Sequence, residues 1–221
     1  MHRRVREWLI MRFFRGIGTV VLLLTLIGCS SPEPKKNIET KESTSPKQAP
    51  PEYKAKVETT KGDFVIHVHR DWAPKGADRF HELVRMGYYD DSRFYRVVKD
   101  FIVQFGLAKD PKLSEMMAQS PIDDDPAMKT NMKGRVSFAK LGVNSRTSQV
   151  FVNLKNNRTL DEQGFAAFGE VIEGMDVVAK LYSGYGDYSG PEQPKIIAQG
   201  NAYLDRHFSR LDQLKKATIL P

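Results

Sequence analysis

The chain has 221 residues, 40% of them hydrophobic and 28% charged, with a net charge of +7. That is the composition of a globular protein, long enough for one or two domains and one sizeable core. Four of the seven net positive charges lie before residue 29, where Arg3, Arg4, Arg6, Arg12 and Arg15 are offset only by Glu7. The basicity is therefore local and points to no nucleic-acid partner, and the single cysteine, Cys29, excludes an internal disulfide.

Residues 1–28 have the layout of a secretory signal: an arginine-rich stretch, the apolar run 17–27, then Gly28 just before Cys29. The run is shorter than the about 20 apolar residues that a spanning helix needs. Leu26-Ile27-Gly28-Cys29 resembles the bacterial lipobox. The resemblance implies that residues 1–28 are removed and that Cys29 is lipidated, its thiol being the side chain suited to a thioether link. Several acyl chains would hold the protein firmly where one binds marginally. Ser30 does not resemble an inner-membrane retention signal, so the expected location is the cell envelope, at the outer membrane facing the periplasm. Residues 29–54 are rich in Ser, Thr, Pro, Lys and Glu. They bury too little apolar surface to offset their ordering entropy and read as a disordered tether.

From residue 55 to 221 the pattern is that of a folded domain. Strands over 57–60 and 63–68 flank a turn at Lys61-Gly62, with Phe64, Ile66 and Val68 alternating as in a half-buried strand. Pro74 opens a helix whose apolar face is Ala77, Phe80, Leu83 and Val84, ending near Gly87. Strand-like runs follow at 94–98, 101–105, 134–139, 149–153 and 166–172. A helix is expected over 174–182, a strand from Lys195 to Leu204, and a C-terminal helix near 204–216. Many short strands with two or three helices predict a mainly β domain: a closed or nearly closed barrel capped by helices.

The most informative stretch is Phe94-Tyr95-Arg96-Val97-Val98-Lys99-Asp100-Phe101-Ile102-Val103-Gln104-Phe105-Gly106. Period-two alternation sets Phe94, Arg96 and Val98 on one face and Phe101, Val103 and Phe105 on another, with the Lys99-Asp100 link free to reset the register. This stretch resembles the cyclophilin signature Phe-His-Arg-hydrophobic-hydrophobic-x-x-Phe-hydrophobic-hydrophobic-Gln-Gly-Gly. Further blocks follow in the family's order. Val136-Ser137-Phe138-Ala139 resembles its Ser-Met-Ala strand, and Ser148-Gln149-Val150-Phe151-Val152 its Ser-Gln-Phe-Phe-Ile segment. Leu160-Asp161 and the run Phe168-Gly169-Glu170-Val171 through Val178 resemble its Leu-Asp and Phe-Gly-x-Val blocks. The ordered set covers roughly residues 56–200.

The resemblance implies an eight-stranded antiparallel barrel with peptidyl-prolyl cis-trans isomerase activity. It also implies residue roles. Arg96 matches the catalytic arginine, and Gln104 the glutamine that orients it and contacts substrate. Phe101, Ile102, Phe151, Leu160 and Phe165 match the proline pocket. Ala139, Lys140 and Gln149 match positions along the peptide groove. The partners implied are proline-containing polypeptides, exported proteins among them, and the membrane through its lipid anchor. No cofactor or metal is implied, and nothing in the sequence signals an oligomer, so a monomer is expected.

These residue types suit the reaction. Rotation about an X–Pro bond meets a barrier of about 20 kcal/mol from amide conjugation, yet makes and breaks no bond. An apolar slot can hold the pyrrolidine ring while a permanent, rigidly arranged cation favours the twisted amide over both planar states. Other groups read more plainly. His67 and His69 share a strand face with a spacing that suits a metal, but the sequence offers no evident third ligand. Asp123-Asp124-Asp125 reads as a solvated loop. The stretch Leu107 to Lys133, with Pro111, Pro121 and Pro126, reads as a variant loop beside the groove.

Four positions depart from the family pattern. Tyr95 stands for the usual histidine, Phe105 for the first glycine of Gln-Gly-Gly, and Lys140 for a frequent asparagine. Thr159 stands for the tryptophan before Leu-Asp that supports cyclosporin binding, which implies weak affinity for that drug. Phe105 and Thr159 leave a second reading open, a catalytically weak cyclophilin-like peptide-binding or chaperone module.

Overall fold

A computed structural model describes residues 48–190 and 192–221. The signal segment, Cys29 and the tether up to residue 47 lie outside the described residues. The folded chain starts earlier than residue 55. Strand β1 spans Glu52–Thr59, Ala49 and Tyr53 are buried, and the Tyr53 hydroxyl donates to the Ala77 carbonyl at 2.7 Å.

Eight strands form one antiparallel sheet. They are β1, β2 (Gly62–His69), β3 (Arg96–Val98), β4 (Ile102–Phe105), β5 (Arg135–Phe138), β6 (Val150–Asn153), β7 (Ala167–Glu173) and β8 (Leu214–Ile219). Their order is β3-β4-β6-β5-β7-β2-β1-β8. The two edges meet just before β3, where Arg93 bridges to Gln213 and the Phe94 N–H donates to Asp212 at 3.1 Å. Curling the sheet this way shields edge backbone that would otherwise be open to pairing.

The core follows from alternation. Phe64, Ile66 and Val68 of β2 point inward, and Val103 and Phe105 of β4 join them. Helix α1 (Pro74–Arg85) starts at a proline and seals the core with Ala77, Phe80, Leu83 and Val84. Phe80 packs 5.1 Å from Phe168, which lies 5.2 Å from Phe138. The face assignment around Arg96 needs one correction: Phe94 lies in the core, while Arg96, Val98, Ile102 and Gln104 share the opposite face. The alternation breaks first between Phe94 and Arg96, where Tyr95 packs into a second cluster with Leu107 and Ile196, and again at the turn, where Asp100 adopts φ +56°. Phe101 leaves the Val103 face and packs with Ile102, Phe151 and Leu160.

Phe105 fits without distortion. Its side chain is fully buried, packed edge-on against Tyr89 and Phe94 at 5.6 and 5.4 Å. Gly106 is the glycine the fold requires, with φ +112° and a Cβ that would sit 2.4 Å from the Ser148 carbonyl oxygen.

The C-terminal expectation is reversed. The apolar run from 195 to 204 forms two short helices, α5 (Gln193–Gln199) and α6 (Asn201–His207), not a strand. Pro194 favours a helical start, and Gly200 at φ 60° and ψ −147° breaks the pair. Residues 214–219 form a strand, β8, by pairing with β1, a partner too remote in sequence for a local pattern to signal. Helix α4 (Met175–Ala179) is shorter than expected, and α3 (Thr159–Glu162) is a single turn. The 107–133 loop contains α2 (Pro111–Ala118), capped by the Asp110 carboxylate accepting from the Lys112 N–H. The described residues thus hold six helices where two or three were expected.

Candidate functional site

A groove of about 710 Å³ opens where β3, β4 and β6 meet the loops after β5 and β6. All ten expected groove residues line it: Arg96, Phe101, Ile102, Gln104, Ala139, Lys140, Gln149, Phe151, Leu160 and Phe165. A larger concavity, about 1340 Å³, lies between residues 48–52 and α1 and is lined by several charged side chains. It lacks the pairing of an apolar slot with a fixed cation found in the smaller groove.

Register brings the polar half together. Arg96 and Gln104 are direct partners across β3 and β4, and Gln104 pairs with Phe151 across β4 and β6. The Arg96 Nη1 donates to the Gln104 Oε1 at 2.9 Å, and the Gln104 Nε2 donates to the Gln149 Oε1 at 3.0 Å. The guanidinium carbon also lies 6.0 Å from the centre of the Phe101 ring. Gln104 is itself buried, so its amide holds one orientation and fixes the arginine beside it.

The apolar half is a separate cluster of Ile102, Phe151 and Leu160, backed by Phe101, Ala139 and Phe165. Phe151 and Phe165 meet edge to face at 5.7 Å. Buried amides hold the loops that carry these rings. The Asn157 Nδ2 donates to the Phe101 carbonyl at 3.0 Å, and the Asn131 Nδ2 to the Phe165 carbonyl at 2.8 Å. Asp161 accepts from the Asn131 backbone N–H at 2.7 Å. Lys140 caps one end, its Nζ 5.7 Å from the Phe165 ring centre and 3.0 Å from an Asp124 oxygen.

The sequence matches the family described as cyclophilin type peptidyl-prolyl cis-trans isomerase over residues 54–201. The chain belongs to that family. A peptidyl-prolyl cis-trans isomerase of Arabidopsis thaliana is 36% identical over 147 residues, covering 64% of this chain and 86% of the relative. One from Acinetobacter baylyi is 32% identical over 154 residues, covering 64% of this chain and 81% of its own length. The fold is shared with a cyclophilin of Cryptosporidium parvum crystallised in the presence of the dipeptide Ala-Pro. That match has a TM-score of 0.56 at 20% identity and covers 76% of this chain and 99% of the other. The protein is thus a peptidyl-prolyl cis-trans isomerase.

Three features of this cyclophilin were not legible from its motifs. Tyr95 is fully buried, and its hydroxyl accepts from the Gln104 Nε2 while donating to the Gln149 Oε1. Burial pushes its ionisation far above the ordinary range, so it remains a neutral donor. Asp187, between α4 and α5, accepts a hydrogen bond from the Arg96 Nε. Gly190, Gln193, Pro194 and Ile197 add a wall beside Arg96, and of these only Ile197 falls in the 195–204 run expected to be a strand. Only the substitution at position 95 left a trace in the sequence.

The aspartate triplet is not a uniformly solvated loop. Asp123 is exposed, but Asp125 is buried against Arg146 at 3.0 Å. Burial opposes ionisation of Asp124, but the Lys140 ammonium, the Asn144 N–H and the Arg146 guanidinium outweigh it and hold its carboxyl below the usual range. Thr159 is exposed on α3, next to Leu160 of the groove. A tryptophan there would extend the apolar wall, so Thr159→Trp is expected to tighten cyclosporin binding about tenfold, measurable by calorimetry.

Proposed function

We propose that this cyclophilin seats the proline ring among Phe101, Ile102, Phe151, Leu160 and Phe165 while Arg96 hydrogen-bonds the proline nitrogen as conjugation is lost. Gln104 orients Arg96, and Ala139, Lys140 and Gln149 receive the flanking peptide. The observation that carries this reading is the guanidinium held 2.9 Å from Gln104 at the lip of an apolar slot. A fixed charge stabilises the twisted amide more than either planar state, which is the requirement for acceleration. We also infer that the clients are exported polypeptides and that the enzyme acts as a monomer anchored in the envelope through Cys29. The signal-like residues 1–28 and the lipobox-like 26–29 support the export and the anchor.

NMR exchange spectroscopy on an X–Pro peptide tests the site, since it needs no coupling protease. Catalysed exchange that is slowed by Phe151→Ala supports the slot; equal rates in both proteins would remove it. For the anchor, labelled palmitate should enter the wild-type chain and not Cys29→Ala, and an unlabelled wild type overturns the lipid reading.

Asp187 gives the binding-module reading its one specific support, because a carboxylate on Arg96 partly neutralises the charge that catalysis needs. The carboxylate is well exposed, so the pair is worth at most about 1 kcal/mol. Asp187→Ala is therefore expected to raise kcat/KM about two- to fivefold in the same exchange assay.

A further inference from the structure

On the outer face of the sheet, away from the groove residues, β1 and β2 bring Glu52, His67 and His69 together. We propose that these three side chains form a binding site for a divalent transition-metal ion of the zinc class, with Glu170 as a supporting carboxylate.

Register builds the cluster. Glu52 is the direct partner of His69 across β1 and β2, and His67 is the partner of Glu170 across β2 and β7. Alternation turns Phe64, Ile66 and Val68 into the core, which leaves His67 and His69 on the opposite face. One carboxylate faces both rings: Glu52 Oε2 lies 3.4 Å from the His67 Nε2, and Oε1 lies 3.3 Å from the His69 Nδ1. One ligand atom from each residue falls within 4.8 Å of the others.

The His69 Nδ1–Glu52 Oε1 contact is a long hydrogen bond, and both separations also suit ligands of one metal ion. They lie just beyond the long end of the usual N–H···O range of about 2.7–3.2 Å. Ligands about 2.0–2.2 Å from a tetrahedral ion stand about 3.3–3.6 Å apart along each edge. The donor set, two imidazoles and a carboxylate, is that of open zinc sites.

A second observation concerns the His69 Nε2. It is buried and has no hydrogen-bond partner, while Glu170 Oε1 stands 3.9 Å away. With the Nδ1 on a metal, the ring carries its proton on Nε2, and a small shift lets it donate to Glu170. A ligating histidine with a carboxylate behind it is the usual arrangement for fixing the ring. The ring is already held by stacking on Trp72 at 4.2 Å and 16°, with His67 4.1 Å away on centroids. Lys54, opposite His67 in the register and exposed, disfavours a cation, so micromolar rather than nanomolar affinity is expected.

The site joins the first residue of β1 to the last residue of β2, so an ion there would clamp the open end of that hairpin. The test uses the full chain freed of metal with a chelator. Zinc is titrated by calorimetry. Copper is titrated by fluorescence, because an ion on His69 quenches the stacked Trp72. One-to-one zinc binding at micromolar concentration, weakened at least a hundredfold in His69→Ala and at least tenfold in Glu52→Gln, is the expected result. His207→Ala should bind like wild type. Saturable binding equally strong in His69→Ala, or none below millimolar zinc in a wild type with normal exchange activity, overturns the site. Glu52→Gln is nearly isosteric and exposed, so it keeps the test valid should His69→Ala misfold.

Discussion

Arg96→Ala is expected to lower kcat/KM for X–Pro exchange about a hundred- to a thousandfold, the loss seen when one preorganised donor to a developing charge is removed. The reasoning rests on how the side chain is held. Gln104 is buried, anchored by Tyr95 and Gln149, and presents its carbonyl to the Arg96 Nη1. The guanidinium is therefore in place before the amide twists, and little reorganisation accompanies the reaction. The loss should fall on kcat, because the apolar slot of Ile102, Phe151 and Leu160 is untouched and peptide affinity changes little. Arg96→Lys keeps the charge but not the rigid fork, so a loss of about tenfold is expected. Gln104→Ala should cost about tenfold alone and almost nothing more in the Arg96→Ala background, since it acts through the arginine. Line-shape or exchange NMR with a peptide, together with a chemical-shift titration for affinity, separates these effects. If Arg96→Ala retains activity within threefold of wild type, the arginine is not the group that stabilises the twisted state.

The groove was legible because its residues come from short strands whose order and types match a known pattern. Arg96 and Gln104 stand eight residues apart in the chain and become direct neighbours through a tight turn at Asp100, which local sequence can signal. Contacts set by distant pairing were not legible. Residues 214–219 carry no strand signal strong enough to outweigh a helical spacing of leucines, and they become β8 only because β1 lies beside them. Residues 195–204 have apolar pairs that suit either state, and Gly200 decides for two helices by approaching the Lys109 carbonyl too closely for any side chain. Asp187 reaches Arg96 across 91 residues of sequence, from a segment with no motif. Glu52 was assigned to the tether because its neighbours are polar and proline-rich. Its partnership with His69 exists only in the register of β1 on β2.

The same long-range logic governs stability at Arg146, where Arg146→Ala is expected to destabilise the domain by about 3–5 kcal/mol. Its side chain is 2% exposed and lies 3.0 Å from Asp125, whose side chain is 4% exposed. That carboxylate does a second job. Helix α1 has no capping side chain of its own, and Asp125 accepts from the Lys75 and Gly76 N–H groups at 3.1 and 2.9 Å. A negative charge at a helix N-terminus is favourable, and here it is supplied by a loop 49 residues away. Arg146 also donates to the Asp123 carbonyl, so one guanidinium ties the 119–133 loop to α1. Removing it strands a buried carboxylate, whereas breaking the exposed Lys75–Asp123 pair at 2.9 Å should change stability by less than about 1 kcal/mol. In a chain of this size the Arg146→Ala loss corresponds to a drop in Tm of about 10 °C, readable by thermal denaturation. Arg146→Met combined with Asp125→Leu removes both charges together and should cost less than Arg146→Ala alone, because no unpaired ion remains. The loop also carries Asp124, which holds Lys140 over Phe165 at the end of the groove. Below its melting point Arg146→Ala should therefore raise KM severalfold while leaving kcat near wild type. A variant as stable as wild type would mean that Asp125 tolerates burial on its backbone N–H partners alone.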